Sequence, residues 1–389
     1  MNIAFLTKGF RKGEVDAAIS TIIEAAHELK RKGHEVIIIS DRAYSSEDSY
    51  ALLPKHEIVE GIEVWRPHHL KTKFLGMTVL PVLFFSMMTL PGLAVQYVEK
   101  KKNISFDIVH SFSGSHFFML NHFFVRSKNK FIKHIHTVKA KSYYSKRWWQ
   151  IGSNAYAFLL NRADHITVPL KSMKKELQEH YVKKPISIVH SFIDLKRFRK
   201  RATKTSLRRK YGLPRYKKIV LYYGHLLPNK GGQDLIKVFK EIGKERRDIM
   251  LLLLHPTYPN KKDEQLIKDC TINGSIVLKK GKADIPEYLH AVDMVALPYK
   301  NLRGTEANPL CILETLASQT PLITTTLPEL QEMVPSKENV VWIEPGNHEQ
   351  LKKAIIAAGN KKIKATKQKV LHEFDVSYCI GLLEKIYRE

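Results

Sequence analysis

Short apolar runs alternate with longer amphipathic stretches along almost the whole chain. Each run has three to five residues that favour β-strands. The predicted strands are Ile3–Leu6, Val36–Ile39, Ile62–Trp65, Ile108–His110, Phe131–Ile135, Ile166–Val168, Ile186–Val189, Ile219–Tyr223, Met250–Leu254, Ile276–Leu278, Met294–Leu297, Leu322–Thr324 and Val340–Ile343. Helical patterns lie between them, for example over Ala17–Lys32 and Gln233–Lys244. Near-continuous apolar strands separated by helices are typical of parallel sheets covered on both faces.

The strands fall into two series, which predicts two α/β domains of Rossmann type in this chain of 389 residues. We place the first domain at residues 1–195 and the second at 196–374. The connection between them is the basic stretch 196–218, and a final helical pattern covers about 375–389.

An uncharged segment from Phe74 to Val98 complicates this picture. Its length is sufficient to span a bilayer, for which about 20 residues are needed. Pro81 and Pro91 interrupt it, and a span would separate the first strands from the rest of their sheet. A buried helix, or an apolar helix resting on a membrane surface, is the preferred interpretation.

Composition limits the class of protein. Apolar residues make up 44% of the chain, which is sufficient for sizeable cores and excludes global disorder. Three widely spaced cysteines exclude a disulfide framework and a multi-cysteine zinc site. Together these features favour a reducing, cytoplasmic compartment.

The net charge of +26 calls for an anionic partner or for a strongly solvated basic surface. Residues 196–218 contain twelve basic residues and no acidic one. In residues 139–158, lysine and arginine alternate with tyrosine and tryptophan, which suits an anionic membrane interface. An ordinary amphipathic helix explains that second segment equally well.

Two glycine-containing loops follow predicted first strands. Gly9 and Gly13 lie between the first strand and its helix, where anions bind helix N-termini, although the spacing is neither a dinucleotide fingerprint nor a P-loop. In the second domain, the loop from Gly224 to Gly232 contains Lys230. Glycines allow close approach of a ligand, and a lysine at a helix N-terminus suits a diphosphate. A solvated loop lysine is the alternative.

Glu306 and Glu314 are separated by seven residues around a helix predicted to start at Pro309. If the whole segment were helical, the two carboxylates would lie about 12 Å apart along the axis and point broadly in one direction. Glu306 would then hold sugar hydroxyls and Glu314 ribose hydroxyls, with phosphates at the helix N-terminus between them. Two exposed helix glutamates remain the alternative.

Taken together, these motifs resemble the GT-B glycosyltransferases, specifically the retaining enzymes of glycosyltransferase family four. The resemblance covers most of the chain. It rests on Gly33-His34-Glu35-Val36, Phe106-Asp107-Ile108-Val109-His110, His136-Thr137, Ala163-Asp164, Ile193-Asp194 with Phe198, Gly224 with Lys230-Gly231, Ala291-Val292-Asp293, Leu297-Pro298, Glu306 with Glu314, Thr315 to Leu322, and Pro328-Glu329-Leu330.

The resemblance implies a GT-B fold, with two Rossmann-like domains facing across a cleft and a C-terminal helix that crosses back to the first domain. It implies that Lys230 binds the donor diphosphate and stabilises the leaving group. Glu306 would lie beside the transferred sugar, Glu314 would bind ribose, and His136 would contact sugar or acceptor. The Gly9–Gly13 loop would approach the phosphates and the sugar.

The other donor-binding residues implied are Gly224, His225, Asn308, Pro309 and Leu310. The family needs no metal, because basic residues neutralise the leaving diphosphate. Two positions depart from the family pattern. His225 stands where arginine is usual, and histidine is a weaker, pH-dependent phosphate ligand. Asn308-Pro309 alters the loop after Glu306. Both departures leave room for a weakened or inactive enzyme.

We therefore expect a retaining, metal-independent glycosyltransferase of the hexosyltransferase class. It would use a UDP- or GDP-sugar as substrate, need no cofactor, and act on a lipid-linked or cell-surface-glycan acceptor at the inner face of an anionic membrane. The alternatives are a soluble glycosyltransferase with a small or protein acceptor and a non-catalytic nucleotide-sugar-binding protein. A nucleotide-sugar epimerase fits the two glutamates less well. Nucleic-acid binding explains the charge but not the motifs.

Overall fold

The computed structural model describes most of the chain. The described residues are 1–7, 10, 17–40, 42, 53–67, 73–74, 77–78, 80–112, 121, 125, 128–135, 157–179, 182–303, 305, 307–334, 340–360 and 368–389. The strands are β1 (Asn2–Thr7), β2 (Glu35–Ser40), β3 (His56–Val59), β4 (Ile62–Trp65), β5 (Lys73–Phe74), β6 (Met77–Thr78), β7 (Ile108–Phe112), β8 (Lys130–His134), β9 (His165–Val168), β10 (Ile186–Ile188), β11 (Lys218–Tyr223), β12 (Ile249–His255), β13 (Ile276–Lys280), β14 (Met294–Leu297), β15 (Leu322–Thr325) and β16 (Val340–Ile343).

Helices alternate with these strands. The described α-helices are α1 (Ala17–Arg31), α2 (Leu80–Lys102), α3 (Lys171–Glu179), α4 (Lys204–Lys210), α5 (Gly232–Glu245), α6 (Lys261–Cys270), α7 (Ile285–Ala291), α8 (Leu310–Ala317), α9 (Pro328–Met333), α10 (His348–Asn360) and α11 (Val376–Arg388).

The chain divides into two compact units. The first comprises Met1–Ser191 with Val376–Glu389, and the second comprises Phe192–Asp375. Residues 192–195 thus lie in the second unit, whereas the sequence analysis assigns them to the first domain. The reason is local: the N–H of Ile193 donates to the carbonyl of Phe374 at 3.0 Å, and Ile193 bridges to Asp375.

The described strands of the first unit form an eight-stranded sheet in the order β10-β9-β8-β7-β1-β2-β4-β3. All neighbours are parallel except β3, which pairs antiparallel with β4 at the edge. Residues Ile3–Leu6 in β1 are fully buried, as expected for a central strand with both faces covered. The edge strand β3 lacks such a pattern, since Ile58 is 66% exposed, and the sequence does not predict it.

The second unit contains a parallel six-stranded sheet in the order β13-β12-β11-β14-β15-β16. Its first strand, β11, lies near the middle of the sheet, and Ile219–Tyr223 are buried. In each unit, the described strands form one mostly parallel sheet, and helices alternate with these strands along the chain. The predicted α/β fold class is therefore confirmed.

The segment Phe74–Val98 has more structure than its uncharged sequence indicates. It contains the last residue of β5, the strand β6 that pairs antiparallel with β5, and most of α2. Ala94, Val95 and Val98 are buried, and α2 packs against β1 and β2. This end of the segment is therefore a buried helix, one of the two preferred interpretations. Within the described part of the chain, no helix combines the length and the apolarity that crossing a bilayer requires.

The C-terminal helix α11 belongs to the first unit. Glu384 Oε1 lies 2.9 Å from His34 Nε2, and Tyr387 Oη lies 2.7 Å from His110 Nδ1. The last helix thus packs beside α1 and reaches the buried ring of His110 in the middle of β7, within the same unit as the N-terminal strand.

Candidate functional site

The candidate site of the second unit starts where β11 ends. Gly224 follows the last residue of β11, and its N–H donates to the carbonyl of Leu254 at 3.0 Å. Its φ of 121° is in the region that favours glycine, because a side chain there would be strained. The chain then makes a short 3₁₀ turn, Pro228–Lys230, before α5 begins at Gly232. The predicted loop between strand and helix is therefore present.

Lys230 is half-buried at the end of that turn. Among the described residues, no carboxylate lies within ion-pair distance of its ammonium group. The charge lies near the thiol of Cys311 in α8: burial raises the pKa of Cys311 to about 11, while Tyr299 and Lys230 act in the opposite direction. An unneutralised cation beside a helix N-terminus is suited to bind an anionic ligand.

Gly231 holds the loop against the neighbouring strand. Its φ is 72°, and a Cβ built on it would lie 1.8 Å from the carbonyl oxygen of Pro298. Only glycine allows this approach, so the residue after Lys230 is fixed against the end of β14.

Helix α8 begins one residue later than the sequence predicts. Pro309 has φ −62° and ψ 118°, so it caps the helix in an extended conformation, and Leu310 is the first helical residue. The carbonyl of Pro309 accepts the N–H of Ile312 at 3.0 Å. The separation of about 12 Å between the two carboxylates assumes one continuous helix from Glu306 to Glu314, and that assumption is wrong. Glu306 itself lies outside the described residues.

Asn308 comes directly before this cap and is completely buried. Neither its side-chain nitrogen nor its side-chain oxygen has a hydrogen-bond partner among the described residues. Such an unpaired buried amide costs about 1–3 kcal/mol. A ligand or a water molecule at a functional site can supply the missing bonds.

Glu314, one turn further into α8, is held by Tyr223. The single proton of the Tyr223 hydroxyl is shared between Glu314 Oε2 at 3.0 Å and the carbonyl oxygen of Cys311 at 2.6 Å. Burial raises the pKa of Tyr223 well above its usual value, and the charge of Glu314 acts in the same direction. The tyrosine therefore stays neutral and remains a donor, which connects the end of β11 to α8.

His225 occupies the position where the family pattern has arginine. Its carbonyl accepts the Tyr222 hydroxyl at 2.9 Å, and its ring packs edge-to-face on His255 with centroids 5.2 Å apart. His255 is the last residue of β12, so the two rings mark the carboxyl ends of adjacent strands. Ligands of parallel α/β sheets bind at this edge.

The structure thus locates seven of the predicted residues on two neighbouring segments of the second unit. These are Gly224, His225, Lys230, Asn308, Pro309, Leu310 and Glu314. The other predicted residues, Gly9, Gly13, His136 and Glu306, lie outside the described residues. The sequence analysis missed Tyr223, whose only sequence signal is its place immediately before Gly224.

Both halves of the chain match families of glycosyltransferases. Residues 20–197 match the family described as Glycosyltransferase Family 4, and residues 203–370 match Glycosyl transferases group 1.

Individual relatives are more distant. The chain is 27% identical over 197 residues to N-acetyl-alpha-D-glucosaminyl L-malate synthase of Bacillus anthracis, and this match covers 50% of each protein. The chain therefore spans about half the length of this relative. An uncharacterized glycosyltransferase of Methanocaldococcus jannaschii is 23% identical over 340 residues, which cover 84% of this chain and 80% of the relative.

Among solved structures, Anabaena HepE in complex with UDP-glucose superimposes with a TM-score of 0.71. The sequence identity is 16%, and the match covers 100% of this chain and 99% of the other. At this identity the likeness concerns the fold alone.

Proposed function

Because the chain belongs to the GT-B glycosyltransferases, we propose that it transfers a sugar from a UDP- or GDP-sugar to an acceptor, with retention of anomeric configuration. The observation that carries this proposal is the half-buried Lys230, which has no carboxylate partner among the described residues and lies beside α8. A nucleotide sugar brings a diphosphate, the anion that such a cation would neutralise.

The proposed chemistry follows from where charge develops. The bond between the anomeric carbon and the diphosphate oxygen breaks, and negative charge grows on the leaving nucleoside diphosphate. A positive charge already in position lowers this barrier, so Lys230 stabilises the leaving group. The acceptor oxygen bonds to the anomeric carbon on the same face, and its proton passes to the leaving phosphate. No metal or cofactor takes part in the proposed reaction.

Glu314 is the proposed ribose ligand. A carboxylate can accept hydrogen bonds from two neighbouring hydroxyls, and the bond from Tyr223 limits the rotation of this one. The unpaired amide of Asn308 is the proposed contact to the donor at the start of α8. For Glu306, His136, Gly9 and Gly13, the proposed roles rest on the family resemblance.

A lipid-linked or cell-surface-glycan acceptor at the inner face of the membrane is the proposed second substrate. The net charge of +26 supports it, because anionic headgroups attract such a surface. The described end of α2 gives little support, since Ala94, Val95 and Val98 are buried in the first unit, although Leu93 and Tyr97 are 37% and 43% exposed. A small soluble acceptor is the second candidate, and it is favoured by the malate named in the B. anthracis relative.

Thermal-shift measurements with UDP, GDP and a set of their sugars, without added metal, test the donor proposal. Binding raises the unfolding midpoint by mass action, by an amount that grows with the ratio of ligand concentration to Kd. A shift with one donor identifies base and sugar. No shift with any of them contradicts the proposal.

Vesicle flotation tests the membrane part. We expect association with vesicles that contain phosphatidylglycerol and release as salt is raised. If the protein stays unbound at low salt, the membrane part is wrong, and the small-acceptor candidate takes its place.

A further inference from the structure

Asn229, the residue before Lys230, forms bonds to the segment that leads to Glu306. Its side-chain amide donates to the carbonyl of Arg303 at 2.8 Å. Its carbonyl accepts the N–H of Lys300 at 2.8 Å. One half-buried residue thus bonds to both ends of a four-residue stretch that begins three residues after β14.

An ion pair between a buried carboxylate and a partly exposed lysine holds the same two segments one turn further on. Asp234, in the first turn of α5, has a side chain that is only 8% exposed. Its Oδ2 lies 2.7 Å from Nζ of Lys300, and its Oδ1 lies 3.4 Å from Nε2 of His348. The lysine of the 300–303 segment is therefore neutralised, whereas Lys230 has no carboxylate partner in the part of the chain that the structure describes.

Gly231 supplies the third contact, since its Cα lies against the carbonyl of Pro298. The three contacts fall on both sides of Lys230: Asn229 precedes it, and Gly231 and Asp234 follow it. The backbone of Lys230 is therefore held from both directions, while its ammonium group has no acidic partner among the described residues.

We propose that Asn229 is a positioning residue that sets Lys230 for the diphosphate and holds its loop to the 300–303 segment, which continues to Glu306. The proposal rests on the proposed function, because it takes the diphosphate as the ligand of Lys230. Asn229 does not contact the donor. It acts by keeping the two ligand-bearing loops of the second unit in one arrangement, so that binding does not have to order them.

This role differs from a general contribution to stability in one measurable way. If Asn229 acts through Lys230, its removal matters only while Lys230 is present. A double-mutant cycle isolates that dependence, since residues that act through one another give non-additive effects.

Calorimetric titration of the full chain with UDP, with GDP, and with uridine and guanosine as diphosphate-free probes tests the proposal. The variants are Asn229→Ala, Lys230→Ala and the double variant. Gln265→Ala is the matched control, because its side-chain amide also bonds to a neighbouring oxygen, Asp269 Oδ1 at 2.7 Å, but on the exposed face of α6.

We expect Asn229→Ala to weaken binding of the preferred diphosphate about fivefold, the loss that one hydrogen bond accounts for, and to leave nucleoside binding unchanged. In the Lys230→Ala background the same substitution should change diphosphate affinity less than about twofold. Gln265→Ala should match the wild type. Lys300→Met serves as a second variant if Asn229→Ala fails to fold, and it should weaken diphosphate binding in the same direction.

Three results would overturn the proposal. Unchanged diphosphate affinity in Asn229→Ala means that the residue has no positioning role. An equal loss in both backgrounds means that Asn229 acts independently of Lys230. If the wild type binds neither UDP nor GDP, the proposed function is wrong as well. In the first two results the wild type still binds a diphosphate, so only the role of Asn229 is wrong.

Discussion

The hydroxyl of Tyr223, the last residue of β11, donates to Glu314 Oε2 in α8 at 3.0 Å. Tyr223 is buried, and its raised pKa keeps the proton on the hydroxyl. The bond orients a half-buried carboxylate at the edge of the sheet where Gly224 and the lysine loop begin. The bond connects the two segments that form the candidate site. One is the loop after β11, which carries Lys230, and the other is the start of α8, which carries Asn308 and Glu314.

Replacing Glu314 should affect the nucleoside part of the donor. In Glu314→Ala we expect UDP or GDP affinity to fall at least about tenfold, because hydrogen bonds to a charged group are lost. Binding of inorganic pyrophosphate should be unchanged, since it has no ribose. Calorimetry measures both.

Glu349→Ala is the control for that substitution, because Glu349 forms an exposed ion pair with Lys353 on α10. Tyr223→Phe should give a smaller loss of affinity than Glu314→Ala. A pyrophosphate affinity that falls together with the UDP affinity would show that Glu314 does not act through the ribose.

Substitution of Gly231 should be far more damaging than substitution of a glycine with a similar backbone elsewhere. Gly231 and Gly274 both have positive φ, 72° and 66°, but a Cβ meets the carbonyl of Pro298 only at Gly231. Gly274→Ala should cost about 1–2 kcal/mol, the cost of the backbone conformation. Gly231→Ala should lower the thermal midpoint further and abolish diphosphate binding. Equal midpoints in the two variants would contradict the close approach.

A third prediction concerns pH and the carboxylate of Asp293. Burial alone would raise the pKa of Asp293, but the N–H of Ile219 and the charges of Lys204 and Arg208 together hold it below its usual value. Because the folded pKa is lowered, the stabilisation is present above the unfolded pKa, near 3.9, and is lost as pH falls through the folded pKa.

Asp293→Asn should therefore lower the free energy of unfolding by about 1.5–3 kcal/mol at pH 7, and the difference from wild type should shrink below about pH 4. Urea unfolding at pH 7 and pH 3.5 measures it. Asp248→Asn is the control, since the Asp248 side chain is 51% exposed and its ion pair with Arg246 should contribute little. If the difference in free energy of unfolding between wild type and Asp293→Asn grows as the pH is lowered, the prediction is wrong.

Much of the fold follows from periodicity. Runs such as Ile219–Tyr223 are apolar without a break because both faces of a central parallel strand are covered. The exceptions are informative. Ile58 is exposed at the sheet edge, and β3 therefore lacks the continuous apolar run from which the other strands are predicted. In Phe74–Val98, length and absence of charge describe a bilayer span and a buried helix equally, and only the packing of Ala94, Val95 and Val98 distinguishes them.

The site is less accessible to sequence reasoning. Lys230 has a recognisable place between strand and helix, so position alone identifies it. Asn229 and Lys300 lie 71 positions apart, and nothing in either neighbourhood indicates that they bond. Pro309 shows the limit of a local rule, because proline is favoured at the first helical residue, yet here it lies at the cap and the helix begins at Leu310. The hydrogen-bond partner of a side chain depends on how distant segments pack, and neither apolar periodicity nor a local motif gives that information.

Turnover of the donor by Lys230→Ala tests the central claim most directly. Release of UDP or GDP from the identified nucleotide sugar should fall about 10²–10³-fold in kcat, because a charge that stabilises the leaving group is lost. The thermal midpoint should stay that of the wild type, and Lys237→Ala, on the exposed face of α5, should keep full turnover. A Lys230→Ala variant that turns over the donor at a rate near that of the wild type would contradict the account.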